Sequence, residues 1–187
     1  MIDDLVTNPQ LLDLVFNDIR KGLKENLSWL NYAFGKVERI VKDIKGNKYY
    51  IPCIYTRDND YLDISPDSKF GNYSFFVVDD PQGVTWENKA NVGESADFSL
   101  IFWFDVRKVM DQLNVRDKES IKKEILDVLN KKVLVRNGRF NITSCYELSE
   151  NIFKEFTLDE LDNQFLMHPY CGFRFSGTIE IEELCIV

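Results

Sequence analysis

The chain contains one histidine, His168, and that alone removes most histidine chemistry. A Ser–His–Asp or Cys–His relay would have to be built around it, yet no serine or cysteine stands in a context that marks a nucleophile. Its position before Pro169 suits a turn between a helix and a strand. Multi-histidine metal motifs such as HExxH are excluded. The acidic run Asp58-Asn59-Asp60-Tyr61-Leu62-Asp63 has the alternating carboxylates of a calcium loop. It lacks the glycine of the sixth position, and Lys69 stands where a bidentate acid would close the loop. Asp67, after Pro66, precedes Glu87-Asn88-Lys89 by about twenty residues. Those are the residue types of a magnesium-dependent nuclease, in which two acids hold the ion and a lysine orients water. Both acids fall in loop-like sequence, and a net charge of −8 repels phosphate. Neither GxxxxGK[ST] nor GxGxxG occurs, so a phosphate cradle has no support. The residues therefore predict no enzyme, no catalytic group, no metal and no cofactor.

Cysteine usage leads to the same place. Cys53, Cys145, Cys171 and Cys185 are widely spaced without a CxxC pair, which predicts small buried hydrophobes in a reducing, intracellular setting. The acidic start Met1-Ile2-Asp3-Asp4 does not resemble a secretory signal, so the sequons at Asn26, Asn72 and Asn141 read as chance. The longest apolar run, Leu100 to Phe104, is too short for a bilayer that needs about 20 helical residues. With 187 residues, 44% of them hydrophobic, one domain spanning 1–187 can bury its own core.

Charge is unevenly placed. From Glu147 onward nine acids oppose only Lys154 and Arg174, a balance of −7. Lys36, Arg39, Lys42, Lys45 and Lys48 oppose Glu38 and Asp43, a balance of +3. Such faces are ordinarily there for solubility; the sharper expectation is complementary contact between copies of the chain. Aromatic residues outside the core pattern, among them Tyr61 and Trp86, suit a subunit interface. The candidate interface is thus Lys36, Arg39, Lys42, Lys45, Lys48, Tyr61, Trp86, Glu180 and Glu182.

The elements that must position these residues are readable. Asn8 as N-cap and Pro9 as first helical residue open an amphipathic helix to about Lys24, with Leu12, Val15, Phe16, Ile19 and Leu23 on one face. A long hairpin from Val37 to Tyr55 turns at Lys45-Gly46-Asn47, with Pro52 arguing for an edge. Tyr73 to Val78 is a buried strand. Asp97 to Val106 is the best central strand, with Phe98, Leu100, Phe102 and Phe104 on one face. Asp117 caps a second helix carrying Ile121, Ile125, Val128 and Leu129. Phe140 to Tyr146 is another strand, and Thr157 with Glu160 forms a capping box for a short helix. The closing strand sets Cys171, Phe173, Phe175, Ile179 and Ile181 on one face and Arg174, Ser176, Thr178, Glu180 and Glu182 on a wet one. The order is not βαβ, which predicts α+β: a mostly antiparallel sheet with two main helices packed on one face. The stretches 56–72 and 79–95 read as long loops, where partner contact is to be expected.

This order of elements resembles the tail-terminator and tail-completion proteins of tailed bacteriophages. The helix Leu11 to Leu23, the hairpin, the strand Phe98 to Phe104, the helix Lys118 to Leu129 and the strand Tyr170 to Gly177 carry the resemblance. The richness in Asn, Lys, Ile and Phe is similar to that of neck ring proteins from crAss-like gut phages. The resemblance implies a virion protein of the neck or tail, made in the cytoplasm of a host bacterium and forming a homo-oligomeric ring. Its partners would be its own copies and adjoining portal, neck or tail proteins. It implies no membrane contact and no specific nucleic-acid binding, although DNA would pass through the ring. The alternative from a different class is a small intracellular adaptor or immunity-type binding protein without catalytic activity.

Overall fold

The computed structural model describes residues 9–56, 60–80, 82–87, 91–110, 118–136, 138–158 and 163–184. The chain is α+β. It runs α1 (Leu12–Asn26), β1 (Tyr32–Lys36), β2 (Glu38–Ile44), β3 (Asn47–Thr56), β4 (Asp60–Asp63), β5 (Tyr73–Val78), β6 (Gly83–Glu87) and β7 (Asn91–Asp105). It continues through α2 (Val106–Val109), α3 (Lys118–Lys131), β8 (Gly138–Tyr146), α4 (Ser149–Ile152), a 3-10 turn (Asn163–Leu166) and β9 (Tyr170–Leu184). One sheet has the order β1-β5-β7-β9-β8, with β6 also on β7; a second has the order β2-β3-β4. Only β1 and β5 pair in parallel among these ladders.

Strand β7 is central because its alternation is apolar on both sides. Phe98, Leu100, Phe102 and Phe104 join Phe173, Phe175, Ile179 and Ile181 of β9 in one cluster, which includes the buried stripes of α1 and α3. Ile101 and Trp103 point the other way and join Phe75, Tyr73 and Phe34 in a second cluster. The register Phe102↔Phe173 and Leu100↔Phe175 brings the diagonal rings of Phe102 and Phe175 to 5.9 Å and of Phe104 and Phe173 to 5.7 Å, where cross-strand aromatic contact adds to burial.

Several expectations are corrected. Helix α1 begins at Leu12, because Leu11 adopts φ 48°, a left-handed value that interrupts the helical path; Asn8 lies outside the described residues. Asp117 lies outside them too. The stretches 56–72 and 79–95 are not simple loops. Strand β4 pairs with β3 through Ile54↔Leu62 and Tyr55↔Tyr61, and β6 pairs with β7 through Gly83↔Ser95 and Val84↔Glu94. Their polar composition suits strands with one open face, which an apolar-run criterion overlooks. Thr157 Oγ1 accepts from Tyr50 N at 3.0 Å, while its own N–H donates to the Tyr50 carbonyl at 2.8 Å. Asp159–Asp162, with the remainder of that capping box, lie outside the described residues.

The second face of β9 is not wet along its first half. The connection from β8 to β9 folds back as a strap, setting Ile152, Phe153 and Phe156 against Trp103 and Phe75. Arg174 lies beneath it at 0% exposure. Asn72 is buried as well, not a surface acceptor. Its Oδ1 accepts from Asp105 N at 2.9 Å, its Nδ2 donates to the Trp29 carbonyl at 3.1 Å, and its N–H donates to Asn31 Oδ1 at 2.8 Å. It fastens the starts of β1 and β5 to the end of β7.

Candidate functional site

The predicted basic residues gather on the β2–β3 hairpin. Seven cross-strand pairs run from Glu38↔Cys53 to Ile44↔Asn47, closed by Lys45 (φ 55°) and Gly46 (φ 84°). Two consecutive positive φ values are what a two-residue hairpin turn of the I′ type needs, and Gly46 supplies one without a Cβ penalty. Asp43 Oδ1 accepts from Gly46 N at 2.9 Å and fastens the turn. Residues 41–48 are all exposed, and β4 reaches only the far end of β3, pairing Cys53 to Thr56. The distal part is therefore a two-stranded ribbon standing in water, with Val41 49% and Ile44 36% exposed. Such a ribbon is at best marginally stable on its own.

The register divides its side chains. Lys42 and Ile44 share a face with Glu38, Ile40 and Tyr49, while Arg39, Val41 and Asp43 share the other with Lys48 and Tyr50. Arg39 lies over the Tyr50 ring at 4.8 Å, and Lys42 Nζ is 3.0 Å from Asp63 Oδ2. Burial raises the Asp63 pKa, but bonds from Ser65 and Lys42 outweigh it and leave the carboxyl below its ordinary value. Tyr61 O–H donates to Glu38 at 3.0 Å, which holds the phenol above its usual pKa, and its ring meets Tyr55 at 5.5 Å. Lys36 sits outside the ribbon, at the end of β1. Burial pushes the Asp13 carboxyl of α1 up, and Lys36 pulls it partly back. Lys45 and Lys48 have no ion-pair partner among the described residues.

The acidic end of β9 is separate from this ribbon in the topology. Glu180 is held by Arg139 of β8 at 2.6 Å, so one of the predicted interface acids already has a cation within the chain. Trp86 and Glu182 pair through their backbones with Val92 and Gly93; their side chains lie outside the described residues. Of the nine predicted positions, the structure brings Arg39, Lys42, Lys45, Lys48 and Tyr61 onto one three-stranded sheet. It places Glu180 and Glu182 on the other sheet.

Searches against protein-family models and curated proteins return no match.

Two of the remaining acids make local backbone bonds. Asp63 caps Ser65 N at 2.9 Å and Asp67 accepts from Lys69 N at 2.7 Å, while Asp58 and Asn59 lie outside the described residues. Glu87 pairs with Asn91 in β6, while its side chain and Asn88-Lys89 lie outside the described residues, and with them most of the nuclease-like pattern. Among the described residues no group of His, Cys, Asp and Glu could hold a metal. His168 is exposed at the turn into β9. Burial pushes the Cys53 thiol up to about 11 and that of Cys171 up to about 12, which leaves both protonated and unreactive at neutral pH. Cys145 is exposed, contrary to the expectation for it, and Cys185 lies outside the described residues. Among the described residues no helix is long and apolar enough to cross a membrane.

The side chain that sequence reasoning most clearly missed is Arg174. Its two terminal nitrogens grip both oxygens of Glu155, one at 2.6 Å, and Nη1 also donates to the Ile152 carbonyl at 3.2 Å. This bidentate pair ties the strap to the centre of the sheet, and the Thr157–Tyr50 bonds tie the same strap to β3. The strap thereby sets the base of the ribbon relative to the sheet. The signal was present in the sequence as one arginine among the apolar and small residues of Cys171 to Gly177, with acids some twenty residues before it.

Proposed function

We propose that the chain is a structural subunit that joins copies of itself into a closed ring, as its resemblance to phage neck and tail-completion proteins implies, and that it performs no bond chemistry. The observation that carries this reading is the ribbon. Its tip exposes Val41 and Ile44 together with three lysines, on a substructure too thin to hold itself. A ribbon of this kind gains its stability from a surface laid against it. Heterologous contacts between one surface and a different one on the next copy close into rings when the rotation permits. In this reading the ring sits in the virion, between portal, neck or tail proteins, with DNA passing through without being read.

Native mass spectrometry of the purified chain tests the reading. A closed multiple of the 21.9 kDa subunit that grows with concentration is the expected result. A monomer at every concentration, together with a one-to-one complex with a single unrelated partner, would instead identify an adaptor.

A further inference from the structure

The strap covers only part of its side of the six-stranded sheet. Along β9, exposure changes from 0% at Arg174 to an open surface at Thr178, four residues on. Beyond the strap, the same face of β7 presents Ser95 and the exposed Asp97, opposite Glu180 and Thr178. Ser95, Asp97 and Thr178 are short side chains on regular strands, and Glu180 is tied to Arg139, so among the described residues this part of the face carries no bulky apolar cover. It is also electrostatically incomplete. Asp79 N–H donates to the Asp97 carbonyl at 3.0 Å, which sets two acidic residues at opposed positions with Asp80 beside them. Like charges facing across a strand pair repel, and among the described residues no cation forms an ion pair with any of the three.

The ribbon tip has the opposite deficit. Asp43 is occupied with the Gly46 turn and Lys42 with Asp63, which leaves Lys45 and Lys48 as exposed cations beside Val41 and Ile44. We infer that the ribbon tip of one copy seats on the uncovered face of the next copy's sheet, with Lys45 and Lys48 against Asp79, Asp80 and Asp97. The inference rests on the self-assembly reading and adds the two surfaces that meet. The occupant is a second copy because one chain carries both members of the complementary pair, on different sheets. The contact is therefore heterologous and leaves each copy with one free surface of either kind until the ring closes. The charges set register and on-rate, while Val41, on the ribbon face of Lys48, supplies the apolar part.

The experiment uses two full-length proteins. One carries Lys45→Glu and Lys48→Glu, the other Asp80→Lys and Asp97→Lys, all at exposed positions, with the thermal midpoint of each compared with wild type. Self-association is followed by sedimentation at low salt. Each reversed protein alone should associate about tenfold or more weakly than wild type. An equimolar mixture should recover wild-type association, because alternating copies restore opposite charges at every contact. If wild type assembles but the reversals have no effect, or the mixture does not recover, these surfaces do not meet and the self-assembly reading stands without them. If wild type does not associate at any concentration, the self-assembly reading fails and this inference with it. Should a reversed protein lose the wild-type midpoint, Lys48→Gln and Asp97→Asn give the same comparison with smaller effects: association weakened by either supports the contact, and unchanged association contradicts it.

Discussion

Strand β9 and the β2–β3 ribbon are both regular antiparallel structure, yet the chain treats them in opposite ways. The first half of β9 lies between β7 and β8, with helices over one face and the strap over the other. Even its charged residue, Arg174, is fully enclosed and bonded. The ribbon has neither face covered at its tip and carries its charges into water. Where a strand is enclosed, most polar groups find a partner within the chain, with Ser74 Oγ and Trp103 Nε1 as exceptions among the described residues. Where it is not, exposed apolar and cationic side chains remain to be used by something else. Stability belongs to the first region; the proposed assembly contact would draw on the second.

That division can be broken by substitution. The largest effect falls at the centre of the helix-covered face. Phe102 is 0% exposed and meets Phe175 edge-on at 5.9 Å. Phe102→Ala should cost about 3–5 kcal/mol in chemical denaturation. A loss below about 0.5 kcal/mol, the range of ordinary surface changes, would show that this face is not the core.

The buried ion pair should respond unequally to loss of its two members. Glu155→Ala leaves a guanidinium enclosed without its counter-ion and should cost about 3 kcal/mol. Arg174→Met removes the charge from the enclosed site, and the Glu155 side chain, 18% exposed, can recover water. It should cost less, about 1–2 kcal/mol. Equal losses for the two variants would mean that the pair is hydrated and that the strap does not seal the face.

Smaller changes are expected on the ribbon. Gly46→Ala places a Cβ at φ 84°, a strain of about 1–2 kcal/mol confined to the turn. It should broaden or shift the amide resonances of residues 41–49 while the global midpoint stays within error. Val41→Ser with Ile44→Ser should change folding stability by less than about 0.5 kcal/mol each and yet abolish self-association. A large drop in the denaturation midpoint for this pair would place the ribbon in the folding core and erase the distinction between the regions.

How far the sequence disclosed this depends on which kind of signal each region carries. The period-two pattern of Phe98 to Phe104 and of Cys171 to Ile181 marked the helix-covered face, because every alternate residue there is apolar. The hairpin was legible from Lys45-Gly46 and the strands around it, since a positive-φ turn leaves a compositional trace. Strands β4 and β6 were not, because Asp60-Tyr61-Leu62-Asp63 and Gly83-Val84-Thr85 have the polarity of loops and gain their pairing from β3 and β7. The burial of Arg174 was hidden for a different reason. Alternation tells which residues share a face, but not whether a distant segment, here Ile152 to Thr157, folds over it. The same limit applied to the candidate interface: charge counting grouped Glu180 with the free acids, although Arg139 stands opposite it in the register and binds it.

The central claim, that the ribbon is the assembly arm, is tested most directly by amide hydrogen exchange of residues 41–49 in the full chain, dilute and concentrated. The account predicts fast exchange in the monomer, as for a marginal two-stranded ribbon, and strong protection once the chain has assembled, while the amides of β7 and β9 are protected in both. Ribbon amides that exchange equally fast in monomer and assembly would contradict it.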